Sequence, residues 1–259
     1  MQESNFCVVI PVYNEESSIS NFIINLYNFL NSTFASRSII SIINDNSTDA
    51  TFDKLIDFKN SRMTEGNSNN CEIFISTSNC TRGYGNAVKE AFKINYNKSI
   101  DFYIIMDSDG TNPIEDINKI YERIQLGFRY IKANRYFSNS NFGKSFGSIQ
   151  RSILSKIAHK VISIIIKSEC LDPSNGFRAI GSEFRSIVLQ NSSGFSSIIE
   201  EWVMIEELGI KISNFNSELG SRGTNQRKSS FNYSISTVLQ YLKPILFLIV
   251  RRFRSRFEY

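Results

Sequence analysis

The residues best suited to chemistry stand together in "YIIMDSDGTNPIE", residues 103 to 115, where an apolar, strand-forming run ends on Asp107 and Asp109. On an extended chain alternate side chains share a face, so the two carboxylates point the same way and repel each other. A cation between them relieves that repulsion. The spacing excludes an EF-hand calcium loop, whose glycine would fall at Asn112 and whose bidentate acid would fall at Asn118. What remains is a hard ion, Mg2+ or Mn2+, which takes a few carboxylates and completes its shell with substrate phosphates. Asp-x-Asp-Gly is equally the sequence of an ordinary turn with solvated acids, and this stretch alone does not separate the two.

Such acids need a scaffold, and the hydrophobic periodicity supplies one. "FCVVIPV" (6–12) reads as a buried strand, and Ile19, Phe22, Ile23, Leu26, Phe29 and Leu30 then recur on a helical stripe. The unit repeats at 38–44 with a helix from about Thr51, at 71–77 with a helix from about Gly85, and at 101–107 with a helix from about Ile114. Strands alternating with helices predict an α/β fold, a mainly parallel nucleotide-binding-type sheet covered by helices on both faces. Beyond it, 127–137 reads as a strand, 152–167 as a helix, 173–184 as a loop and short strand entering a helix, 195–208 as a glutamate-rich helix and 209–218 as a strand. In open α/β sheets ligands bind beyond the carboxyl ends of the strands. Those ends read "PVYNEE", "NDNSTDAT", "NCTRGYGNA" and "DSDGTN", all polar and three of them acidic.

"RGYGNA" (82–87) opens a helix with two glycines, which suits either backbone N–H groups approaching a phosphate or a helix start that tolerates glycine. It fits neither the dinucleotide nor the P-loop fingerprint, and it follows the third strand, not the first. Asp45 and Asp49 likewise suit ligand binding or helix capping. His159, alone among apolar neighbours, reads as packing.

Bulk properties narrow the partners. The 259 residues are 41% hydrophobic, enough for a sizeable core. There are 29 basic and 25 acidic residues, and the whole excess sits in Arg251, Arg252, Arg254 and Arg256. A local patch of this kind is not a coat for nucleic acid. Cys7, Cys71, Cys80 and Cys170 are scattered and have one histidine between them, which argues against a zinc cluster and fits free thiols in a reducing, cytoplasmic compartment. The first residues enter a strand pattern with no signal-peptide character. The uninterrupted apolar run after Lys243 spans only 244–250, well short of the roughly 20 residues of a spanning helix.

Taken in order, "VVIPVYNEE", "IINDNSTDAT", "RGYGNAVKEAF" and "IIMDSDG" resemble the family 2 glycosyltransferases with the glycosyltransferase A fold. "NRY" (134–136), "DPSNGFRAI" (172–180) and an acid-bearing helix before "GIKI" resemble the dolichyl-phosphate mannosyltransferase and polyprenyl-phosphate glycosyltransferase branch, over residues 6 to 225. The resemblance implies that Pro11, Tyr13, Glu15, Ile43 and Asp45 hold the nucleoside, and that Asp107, Ser108 and Asp109 bind the metal and donor diphosphate. It implies phosphate-facing roles for Arg135 and Arg222, an acceptor-side role for Arg178, and a helix glutamate at Glu200, or less well Glu201. Lys228 stands near the family's Ser-Lys ending. Thr111 and Asn112 replace a frequent Gln-His pair, and "RGTNQRKSS" replaces the usual spacing downstream.

The expected activity is an inverting, metal-dependent hexose transfer from a nucleotide sugar to a polyprenyl phosphate, with residues 1–230 as the catalytic unit. Residues 231–259 form an apolar then basic helix that suits peripheral contact with the inner face of a membrane. Core packing or a homodimer contact are the other uses of that helix, and a homodimer or a membrane-protein partner stands open for the chain as a whole. Two rival readings stand beside the first. One is a soluble family 2 enzyme acting on a saccharide hydroxyl in cell-surface polysaccharide synthesis, with Glu200 or Glu201 as base; the other is a non-catalytic nucleotide-sugar binding subunit.

Overall fold

The computed structural model describes residues 4–64, 70–136, 160, 163, 167–218, 220 and 235–254. Seven strands form one sheet in the order β3-β2-β1-β4-β6-β5-β7. They are β1 (Phe6–Val12), β2 (Ser38–Asn44), β3 (Cys71–Thr77), β4 (Phe102–Ile105), β5 (Tyr130–Asn134), β6 (Arg178–Gly181) and β7 (Ile212–Asn216). Only β6 runs against the rest, pairing antiparallel with both β4 and β5. The expected α/β architecture and mainly parallel sheet are therefore present.

Alternation along the strands builds two cores. Phe6, Val8, Ile10 and Val12 of β1 face one side and Cys7 and Val9 the other. The first side is covered by α1 (Ile19–Thr33), α2 (Thr51–Thr64) and α4 (Asp116–Gln125). The second is covered by α3 (Tyr84–Ile94), α5 (Arg185–Gln190) and α6 (Ser197–Glu207), with Ile245 of α7 (Ile235–Arg254) packed onto it. Strands buried on both faces read as nearly continuous apolar runs, which is why β1 and β2 stand out in the sequence.

Two boundaries differ from the periodicity. β4 stops at Ile105, two residues before the first acid, and α4 begins at Asp116. Asp107, Ser108 and Asp109 thus lie in a turn beyond the strand. The cause is local. Asn112 Oδ1 accepts from the Asp107 amide at 2.9 Å, and Asp109 Oδ1 accepts from the Thr111 amide at 3.0 Å and its hydroxyl at 2.6 Å. Gly110 takes the left-handed conformation this needs, at φ +74°. Helix 152–167 falls almost wholly outside the described residues, as does His159.

Candidate functional site

The carboxyl edge of the sheet gathers the predicted residues from separate elements. At the end of β2, Asp45 is buried, and its carboxylate accepts from the Gly83 amide through both oxygens at 3.1 and 2.9 Å. Burial raises its pKa, partly offset by the Gly83 amide and by Arg82. Beside it, the Arg82 guanidinium lies over the Tyr13 ring, 4.5 Å from its centroid, and donates to the Tyr13 hydroxyl at 2.6 Å. Pro11 pairs in register with Ile43, which is buried. Glu15 lies in the turn before α1: its backbone amide donates to Thr51 Oγ1 at 2.7 Å, and its side chain accepts from Ser18 at 3.1 Å.

The turns after β1 and β2 are laced together. Asn14 and Asn46 both have left-handed backbones, a conformation that asparagine tolerates better than bulky residues do. Asn14 Oδ1 accepts from the Thr48 amide at 2.6 Å, and the Asn14 backbone N–H donates to Ser47 Oγ at 2.9 Å. Rigidity of this kind fixes Tyr13 and Asp45 relative to each other.

"RGYGNA" serves a packing role. A methyl group on Gly83 would lie 2.5 Å from Ser193 O, and one on Gly85 only 2.2 Å from Ser192 O. The Asn86 amide donates to Ser193 O at 3.2 Å, and the Gly83 amide is held by Asp45. These N–H groups are thus occupied by the protein itself. The glycines let the 192–194 loop close onto the start of α3.

Around the acidic turn, Ser108 is buried, and Asp107 and Asp109 are half-buried. A methyl group on Gly176 would come within 3.3 Å of both Asp107 Oδ1 and the Tyr84 hydroxyl. The segment after β7 is fastened here too, since the Gly220 amide donates to Thr111 O at 2.9 Å. Arg222 and Lys228 lie outside the described residues.

Beneath this edge sits a buried ionic network. Arg178 is 1% exposed and forms a bidentate pair with Glu201 at 2.6 and 2.8 Å, while its third nitrogen donates to the Tyr84 hydroxyl at 3.1 Å and to Gly176 O at 2.8 Å. Burial opposes the charge on Arg178, and Glu201 more than offsets it. Tyr130 donates to Glu201 at 3.0 Å. Arg135 forms a second bidentate pair, with Asp172 at 2.7 and 2.9 Å, and donates to Ser174 Oγ at 3.1 Å. Glu200, the better family match, points elsewhere: its Oε2 accepts from the Ser192 amide at 2.6 Å. Lys132 is fully buried with no hydrogen-bond partner for Nζ, and desolvation lowers its pKa to about 8.

Sequence reasoning missed Tyr84, Thr111, Asn112, Asp172 and Gly176. Two of these carried a signal. Thr111 and Asn112 depart from the family pattern, and they are the residues that fold the acidic turn. Asp172 and Gly176 stood inside the quoted "DPSNGFRAI" without a role.

An α/β sheet with a polar carboxyl edge, an acid at the end of β2 and a two-acid turn beyond β4 has the form of an enzyme or binding protein whose ligand lies beyond the strand ends. Residues 7–211 match the sequence profile of glycosyl transferase family 2, and the chain belongs to that family. It is 25% identical over 246 residues to a dolichol-phosphate mannosyltransferase from Pyrococcus furiosus, with 92% of this chain aligned. The chain spans 62% of that curated relative's length. Among solved structures it is similar to glucosyl-3-phosphoglycerate synthase from Mycobacterium tuberculosis in complex with Mn2+, UDP-glucose and phosphoglyceric acid, at a TM-score of 0.67 and 18% identity, covering 93% of this chain and 80% of that one. The same enzyme in complex with UDP gives 0.65 and 17%, over 95% of this chain and 80% of that one. The likeness establishes the glycosyltransferase A type of fold.

Proposed function

We propose that this protein transfers a hexose from a nucleoside diphosphate sugar to a polyprenyl phosphate, with inversion at the anomeric carbon. The observation that carries the proposal is the arrangement of Asp107 and Asp109 in one turn across the sheet edge from Asp45 and Tyr13. Tyr13 and Asp45 hold the base and nucleoside, and the acidic turn receives the diphosphate.

The donor set fits a hard divalent ion. Among the described residues no group of three or more His, Cys, Asp or Glu side chains is arranged to hold a metal ion alone. Two carboxylates plus substrate phosphates suit Mg2+ or Mn2+, and the Mn2+ bound with UDP-glucose in the mycobacterial enzyme supports this assignment. Asp107 and Asp109 would hold the ion, which when bound supplies Lewis-acid stabilisation of charge growing on the departing diphosphate. Arg222, two residues past the Gly220 tether, is the candidate for a second positive charge on that leaving group.

The state of the glutamates supports a phosphate acceptor. A hydroxyl nucleophile needs a general base. Here Glu201 is buried against Arg178, and Glu200 is engaged by the Ser192 amide. A phosphate monoester, with a second pKa near about 6, is already ionised at neutral pH and needs no base. The curated relative is named for a dolichol phosphate, which supports the same class.

The surface of α7 supports work at a membrane. Ile245 faces the core, while Leu239, Leu242, Leu246, Phe247 and Val250 are exposed along the helix, which ends on Arg251, Arg252 and Arg254. An apolar face with a basic end suits an anionic lipid interface. No helix among the described residues is long and apolar enough to cross a membrane. In this reading residues 1–230 are the catalytic unit and 231–259 its contact with the inner membrane face.

The test is transfer from UDP- or GDP-hexoses to a short polyprenyl phosphate with and without Mn2+. Label should reach the lipid only with metal, and Asp109→Ala should lower the rate by about 10³-fold. Transfer to a saccharide hydroxyl, abolished by Glu200→Gln, would establish the soluble rival. Metal-dependent nucleotide binding with no transfer to any acceptor would indicate a binding subunit.

A further inference from the structure

We propose that Thr111 is a positioning residue for the divalent ion, aiming the Asp109 carboxylate while the segment after β7 braces it through Gly220; this rests on the metal-holding role given above to Asp109. Three hydrogen bonds place Thr111 between the two. Its amide and its hydroxyl both donate to Asp109 Oδ1, at 3.0 and 2.6 Å, and its carbonyl accepts from the Gly220 amide at 2.9 Å. Two donors from one residue on one carboxylate oxygen leave the Asp109 side chain little rotational freedom. Bonds to an ionised acceptor are also the strong ones, and the shorter of these two comes from the hydroxyl. The glutamine frequent at this position in the family has no hydroxyl, so that donor belongs to this chain's own threonine.

The brace comes from the far side of the sheet. Just past β7, the Ser217 amide donates to Asn134 O of β5 at 3.1 Å, and three residues on Gly220 meets the turn beyond β4. The fit there is close: a methyl group on Gly220 would lie 3.3 Å from Gly110 O and 3.7 Å from Thr111 O. Gly110 is the residue whose left-handed backbone closes the turn, and the next residue but one, Asn112, holds the Asp107 amide at 2.9 Å. Pressure from Gly220 therefore falls on the two peptide units that lie between Asp109 and Asn112. Hydrogen-bonded partners behind a ligating carboxylate hold its orientation, and their loss typically costs about 10- to 100-fold in metal affinity.

The experiment is direct titration of Mn2+, followed by the electron paramagnetic resonance of the free ion, in the presence of saturating UDP and separately of GDP. Metal-free nucleotide binding and Tm are measured on the same samples. Thr111→Val keeps the shape and removes the hydroxyl, Thr111→Ser restores the hydroxyl, and Gly220→Ala leaves Thr111 intact while crowding the brace. Thr111→Val is expected to raise the Mn2+ Kd by about 10-fold and Gly220→Ala by several-fold, with Thr111→Ser within about 3-fold of wild type. Metal-free nucleotide affinity should stay within about 2-fold in all three, a separation that general loss of structure would not produce. Unaltered Mn2+ affinity in Thr111→Val, or a loss that Thr111→Ser fails to restore, would overturn the proposal and leave the Asp109 metal site standing. Unaltered affinity in Gly220→Ala would overturn the bracing role of the segment after β7. Wild-type Mn2+ affinity in Asp109→Asn would remove the metal site, and the positioning role with it.

Discussion

Acidic side chains do different work in the two halves of the sheet. On the β3-β2-β1 side Asp45 stands at the carboxyl edge, where it holds one backbone amide, and Glu72 at the other end of β3 pairs with Arg37 and Lys98. On the β4-β6-β5 side Asp107 and Asp109 stand in the turn beyond β4, while beneath the edge Glu201 and Asp172 are fully buried and each is spent on an arginine. The difference follows from strand direction. A parallel strand brings the loop that follows it to the carboxyl edge. The reversed β6 brings the segment that precedes it, 172–177, and sets Arg178 opposite Ile105 and Lys132. The second half therefore builds its wall from a buried ion-pair network, and the first from a strand end and a laced turn.

This contrast predicts that removing a buried, arginine-paired acid beneath the edge damages the fold, while removing an acid at the edge, Asp45 or one of the Asp107 and Asp109 pair, damages binding. Glu201→Ala leaves Arg178 charged and buried without its bidentate partner, and should cost about 3–5 kcal/mol in denaturant unfolding. A smaller loss would mean that Tyr84 and Gly176 O suffice to hold Arg178.

Lys132 sharpens the comparison in the opposite sense. Its buried ammonium has no hydrogen-bond partner, so Lys132→Met should stabilise the protein by about 1–4 kcal/mol. The sign with pH is fixed by the lowered value of about 8 against an ordinary 10.5. Between those limits the unfolded chain binds more protons than the folded one, so wild-type stability rises with pH from about 8 towards 10.5. The excess of that rise over the Lys132→Met variant is the quantity to measure, and identical pH curves would show that folding leaves the Lys132 pKa unshifted.

On the first half, Asp45→Asn should weaken nucleoside diphosphate binding by about 10-fold, the worth of one charge-assisted hydrogen bond, with stability changed by less than about 1 kcal/mol. Calorimetric titration with UDP and GDP reads the first quantity and thermal unfolding the second. The smallest effect is expected at α7. Replacing exposed Leu246 and Phe247 by Gln should lower partition onto anionic vesicles several-fold and leave transfer to a water-soluble acceptor analogue unchanged. Equal partition would assign that face to another partner.

Family membership and the α/β sheet were legible because doubly buried strands read as unbroken apolar runs and because the polar strand ends keep their order along the chain. Asp45, Asp107 and Asp109 could be named for the same reason: a strand end is a local feature. The sequence did not reveal that β6 runs backwards, since side-chain alternation has the same period in either direction. Nor did it separate Glu200 from Glu201. The two are adjacent on one helix, and only the packing of α6 turns Glu201 towards Arg178 and Glu200 towards the 192–194 loop. The glycines of "RGYGNA" were visible as a motif, yet their purpose, admitting a loop from residues more than a hundred positions away, belongs to the tertiary structure. Local pattern settled which residues stand at the strand ends. Long-range packing decided which of their hydrogen-bonding groups the protein itself occupies.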